Sequence, residues 1–250
     1  MLEILHGRAV TPYFYFQEVK EMKKSIVFRL VISGAMLALA FVLSFVKIPF
    51  LPYGGSISLF SMVPIVFIGC LYGPSWGLIV GFLYSLLQLF QSAVFSQAFV
   101  GQNAKYVVLM LLFDFIVAFT VLGLGGMFIT KKNITSKAAP FLAAAGGAIV
   151  CIARYISHTV SGYLLFAEYA EWFFTQDGVK EAFGDAIMQN FSGSALSWIY
   201  SAIYNATYMI PETVLTAVGI FAVMMVLKGI KRTEKLMVEE RNSSFFRKAA

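Results

Sequence analysis

The sequence predicts an all-α membrane protein, a bundle of six transmembrane helices with both termini in the cytoplasm. Three observations carry this. Charged residues make up 13% of the 250-residue chain and hydrophobic residues 59%, whereas soluble domains carry about 25% charged residues. The apolar residues fall into runs parted by short polar or turn-forming segments, and the mean hydropathy is +0.79. The basic residues flank those runs unevenly, as membrane orientation requires. Lys20, Lys23, Lys24, Lys131, Lys132, Lys137 and the tail from Lys228 to Lys248 gather on one side. The other side carries Lys47, Lys105, Lys180 and the acidic residues Glu168, Glu171, Asp177, Glu181 and Asp185. The net charge of +6 is therefore read as topology and not as nucleic-acid binding.

Residues 1–24 read as a cytoplasmic extension without the apolar core of a signal peptide. Met22-Lys-Lys within it resembles a natural start. Residues 25–228 form the membrane domain, and 229–250 a basic cytoplasmic tail. Span one covers about Ser25 to Val46. Its Gly34 and Ala38 make a small-residue face that suits either internal packing or a partner membrane protein. The turn formers of Lys47 to Ser56 predict a loop. Span two, about Ile57 to Leu71, is short for a bilayer core of about 30 Å. Tyr72-Gly-Pro-Ser turns into span three, about Trp76 to Phe95. Spans four, five and six are expected at about Tyr106 to Ile129, Ala138 to Phe166 and Leu196 to Leu227. Between the last two, Val179 to Gln189 could form a short amphipathic helix over the mouth of the bundle. Cys70 and Cys151 lie inside apolar runs with no metal-ligand spacing, so they read as packing residues. No metal, cofactor or catalytic residue is expected.

Four ionisable side chains lie deep in spans: Asp114, Arg154, His158 and Glu212. Intramembrane charge is costly, so each is a functional candidate. At about 1.5 Å per residue, Asp114 and His158 sit roughly 12–13 Å below the same face, with Asn205 near that level. Trp198, Ser201, Asn205, Tyr208 and Glu212 recur at helical spacing on one face of span six. Lipid cannot satisfy such a stripe, so it must face protein or ligand. Arg154 and Glu212, both deeper, suit a structural ion pair or a functional role. Asp114 could pair with Arg154 or face a ligand, and His158 could be a satisfied bundle residue or a ligand contact. A buried carboxylate, an imidazole, an amide and the aromatics Phe115, Phe166, Trp198 and Tyr200 suit a small, flat, cationic heterocycle.

Asp114-Phe-Ile-Val-Ala-Phe, Arg154-Tyr-Ile-Ser-His-Thr-Val-Ser-Gly162 and Tyr200-Ser-Ala-Ile-Tyr-Asn-Ala-Thr-Tyr-Met-Ile-Pro211, in that order, resemble the ThiT family. The stretch from Gly54 to Pro64 is similar as well. These are the thiamine-specific substrate-binding (S) components of energy-coupling factor (ECF) transporters. The resemblance covers about residues 25–228. It implies a six-helix bundle of the cell membrane that binds thiamine from outside. It also implies assembly with a transmembrane coupling protein and two cytoplasmic ATPases. The ligand contacts it implies are Asp114, Phe115, His158, Gly162, Phe166, Tyr200 and Asn205, with Trp198 a further stacking candidate, and Gly34 and Ala38 map to the docking face. The family often has Tyr where Phe115 stands, and some members have Trp at the places of Gly55 and Phe166. Ring stacking would then fall to Phe166, Trp172 or Trp198. These departures leave room for a thiamine precursor or phosphate ester.

No nucleotide-binding motif occurs in the chain. Uphill transport would therefore draw on a partner or an ion gradient, and an ion-coupled secondary transporter is the alternative. A Ser194–His158 enzyme is disfavoured, because no nucleophile elbow surrounds Ser194.

Overall fold

The computed structural model describes residues 12–49, 55–230 and 237–239, with side chains from Ile26 onward. The segment around Met22 lies in its first helix, and residues 1–11 and most of the tail lie outside the described residues. Among the described residues, five helices are long and apolar enough to cross a membrane. They are α1 (Pro12–Leu43), α3 (Pro74–Phe95), α4 (Ala104–Gly126), α5 (Ala139–Phe166) and α8 (Gly193–Gly229). The sixth, α2 (Val63–Tyr72), has only ten residues. Helix α1 starts at Pro12, so the expected extension is helical and continuous with span one from there on.

The short second span has a structural cause. Lys47–Pro49 (β1) and Ser56–Ser58 (β2) pair antiparallel, with Lys47 opposite Ser58. A hairpin thus stands where the sequence predicts a loop, and it claims the residues expected to begin span two. Pro64 then starts α2 in its first turn, where a missing N–H costs nothing. At about 1.5 Å per residue, α2 is roughly 15 Å long, and the non-helical hairpin precedes it in the chain. Such backbone is tolerated inside a membrane only where protein satisfies it.

Helices α1, α3, α4, α5 and α8 bring the hairpin to one end of the bundle. Ser44, just past α1, donates to Gln91 Oε1 near the end of α3 at 2.8 Å. Ser157 of α5 donates to the Phe113 carbonyl of α4 at 2.6 Å. At the opposite end, Trp76 of α3 donates to Ser33 of α1 at 3.0 Å. There too Lys228 of α8 reaches the Ser136 carbonyl in the α4–α5 connection.

This second end is packed backbone to backbone. A side chain on Gly123 would overlap the Gly77 backbone, and one on Gly126 would overlap Gly69. The last turns of α4, Val121–Gly126, tighten to a 3-10 helix, and their glycines let α2 and α3 approach closely. Around them lie Ile65, Ile68, Val80, Leu122, Val150, Met209 and Ile220, all essentially inaccessible.

Candidate functional site

The hairpin end holds a cavity of about 570 Å³, within the usual range for small-molecule sites. Its walls come from the end of α1, the hairpin, α3, α4, α5 and α8.

Asp114 projects from a π-helical stretch of α4, Leu111–Val117, a local widening often found at functional sites. Its Oδ1 lies 2.9 Å from His158 Nδ1, and its Oδ2 accepts from Ser161 at 2.7 Å. His158 and Ser161 sit three residues apart on α5, so one helical face grips both oxygens. With the proton on Nδ1, the carboxylate fixes the imidazole tautomer. The buried Nε2 has no partner, and both His158 and Asp114 border the cavity. In that tautomer Nε2 offers an acceptor to whatever fills the space.

Asn205 of α8 is held from several directions. Its Nδ2 donates to the Ser201 carbonyl at 2.9 Å and to the His158 carbonyl at 3.3 Å. Its Oδ1 accepts from the Tyr208 hydroxyl. The amide thus ties α8 to α5 beside the imidazole. Gly162 makes this approach possible, because a side chain there would meet Ser201 Oγ.

Arg154 and Glu212 form the floor. Arg154 Nη1 lies 2.7 Å from Glu212 Oε2, and the guanidinium stands 4.5 Å over the Phe119 ring. Glu212 Oε1 accepts from the Ser58 backbone N–H at 2.8 Å and from Ser58 Oγ at 2.6 Å. The deep carboxylate therefore satisfies the strand that enters the bundle and balances the arginine. This resolves the partners: Arg154 pairs with Glu212, and Asp114 with His158 and Ser161. Both Arg154 and Glu212 still border the cavity.

The aromatic wall consists of Phe115, Phe119, Phe166, Tyr200, Tyr204 and Tyr208. Tyr200 is buried, with Phe173 behind it at 5.3 Å between centroids. The 167–192 connection forms two short helices, α6 (Ala170–Phe174) and α7 (Asp185–Asn190). A π-helical turn, Lys180–Gly184, leads into α7. Val179, Ile187 and Met188 pack on Ala170, Phe173, Phe174, Leu196 and Tyr200. The expected amphipathic helix thus exists, but it backs the aromatic wall and does not border the cavity.

One expected contact is corrected. Trp198 does not border the cavity. It is 41% exposed and stacks on Tyr163 at 4.1 Å, with planes 10° apart. Gly162 points at α8, so its neighbour Tyr163 lies on the flank of the α5–α8 contact and draws the indole outward. Trp172, also considered for stacking, is 38% exposed and outside the lining. Asp114, Phe115, His158, Gly162, Phe166, Tyr200 and Asn205 are brought together around one space. Gly34 and Ala38 face outward on α1, and nothing lies within 4 Å of a Cβ placed on Gly34. The internal-packing reading of that face therefore finds no partner among the described residues. Ser194 is exposed at the start of α8, outside the lining.

Sequence reasoning missed a second wall: Lys47, Gln88, Gln91, Ser92, Ser96 and Gln102. The signal was present. Gln88 and Gln91 are amides at i,i+3 inside an apolar span, a pattern that lipid penalises as it penalises charge.

The thiamine transporter protein family model (Thia_YuaJ) matches residues 30–172. The chain is 31% identical over 214 residues to the thiamine transporter ThiT of Bacillus subtilis strain 168, covering 83% of this chain and 95% of that relative. A solved structure of ThiT from Listeria monocytogenes shares the fold, with a TM-score of 0.59 and 20% identity over 83% of this chain and 97% of that one. The relatives' role is transport, not catalysis, and the spans fit a multi-pass protein of the cell membrane. The chain belongs to the thiamine transporter family.

Proposed function

We propose that this protein is the thiamine-binding S component of an ECF importer. It captures thiamine from outside, with both termini in the cytoplasm, and relies on a transmembrane coupling protein and two ATPases for energy. The observation that carries this reading is the convergence of Asp114, His158 and Asn205 on one aromatic-walled cavity. The Asp114 carboxylate complements the thiazolium charge. The unpartnered His158 Nε2 accepts from the amino group of the pyrimidine. Phe115, Phe166 and Tyr200 supply ring faces. Gly34 and Ala38, exposed on α1, form the face on which the coupling protein docks.

Isothermal titration of the purified chain with thiamine tests the binding role. Wild type binds, and Asp114→Asn and His158→Ala each weaken binding by about tenfold or more, the scale of a hydrogen bond to a charged group. No binding by wild type, or binding by both variants as tight as that of wild type, removes the reading. Thiamine uptake by liposomes containing this chain alone, driven by a proton gradient, would favour the ion-coupled alternative.

A further inference from the structure

The two walls of the cavity differ in charge. The α4, α5 and α8 side carries Asp114, with Glu212 neutralised below it by Arg154. The α1, β1 and α3 side carries no carboxylate in its lining. It presents donors instead. Gln91 accepts from Ser44 Oγ through Oε1 at 2.8 Å and donates one amide N–H to the Ser44 carbonyl at 3.5 Å, which leaves its second N–H for the donor side. Gln88 Nε2 is buried with no partner. Among the described residues, Lys47 takes part in no ion pair, yet it borders the same space, as do the hydroxyls of Ser92 and Ser96.

A thiamine molecule would give the Asp114 side its cation but would leave the Lys47 side without a counter-charge. We propose that this second wall is an oxyanion subsite, so that the preferred ligand is a zwitterion: a cationic heterocycle facing Asp114, joined to a phosphate ester facing Lys47, Gln88 and Gln91. The ester's several acceptor oxygens match a wall made of donors, and an ammonium–phosphate contact is among the stronger hydrogen bonds available. This rests on the reading of the cavity as a thiamine site and narrows the substrate class to its monophosphate.

The test is calorimetric titration of wild type, Lys47→Gln and Gln88→Leu with thiamine and with thiamine monophosphate, scored as the ratio of the two Kd values. Wild type binds the monophosphate at least as tightly as thiamine. Lys47→Gln shifts the ratio against the monophosphate by about tenfold, and Gln88→Leu shifts it in the same direction by less. Wild-type preference for thiamine by more than tenfold, or an unmoved ratio in both variants, overturns the subsite while leaving the thiamine reading intact. Wild type that binds neither compound overturns both.

Discussion

The two ends of this bundle solve opposite packing problems with the same helices. At the hairpin end α3, α4, α5 and α8 stand apart around a space of about 570 Å³, and polar groups are spent on one another: Asp114 on His158 and Ser161, Glu212 on Arg154 and Ser58. At the other end α2, α3, α4 and α5 meet through Gly69, Gly77, Gly123, Gly126 and Gly146, with no room for a Cβ. Helix α4 bridges both regimes, widened to a π-helix at Asp114 and narrowed to a 3-10 helix at Gly123. One helix can therefore open a site and seal it within a few turns, by changing its own winding.

Substitutions can break either side of this contrast. Glu212→Gln leaves Arg154 buried without its counter-charge and weakens the tether on Ser58. Stability should fall by about 3–5 kcal/mol, seen as a lowered Tm in detergent, with amide exchange at β2 accelerated. An unchanged exchange rate at β2 would show that the hairpin is held by other contacts. Gly123→Ala strikes the sealed end, where the new methyl meets the Gly77 backbone. It should cost about 1–3 kcal/mol by overpacking and leave the thiamine affinity of the folded fraction within a few-fold of wild type. Trp198→Ala sharpens the boundary of the site: it loses the Tyr163 stack, worth about 1 kcal/mol, and changes thiamine affinity less than threefold by titration. A larger loss would return the indole to the cavity.

The smallest effect is expected outside the bundle. Glu181 accepts from the Gly178 N–H at 2.6 Å, and bonds from its own N–H and that of Gly178 hold its carboxyl below the ordinary range. A depressed pKa contributes stability above the unfolded value that is lost as pH falls through the folded one. The protection of the Gly178 amide, corrected for the intrinsic pH dependence of exchange, should therefore fall on acidification in wild type, and Glu181→Gln should flatten that dependence.

The legible part of this fold was what the bilayer dictates. Five spans follow from apolar length alone, and the shared depth of Asp114, His158 and Asn205 follows from counting rise per residue. The second span was not legible as drawn. Ser56-Ile-Ser58 alternates like a strand, but its pairing with Lys47–Pro49 and its anchor on Glu212 are contacts between distant segments. Periodicity also placed Trp198 on the stripe of Ser201, Asn205, Tyr208 and Glu212, yet its ring stacks on Tyr163 outside the cavity. The wall of Gln88 and Gln91 carries no charge at those two positions, although a membrane selects against unsatisfied amides as well.

The Ser58–Glu212 bond spans 154 residues, which sets an order of assembly. A ribosome delivers the hairpin long before it delivers α8. Until then the Ser58 N–H has no protein acceptor at membrane depth, and Arg154 has no anion. The nascent bundle must hold that strand near water, or lend it a temporary partner, until the last helix inserts. The cavity is therefore complete only once the final span is in place, and chains truncated before Glu212 should reach the membrane yet fail to retain thiamine.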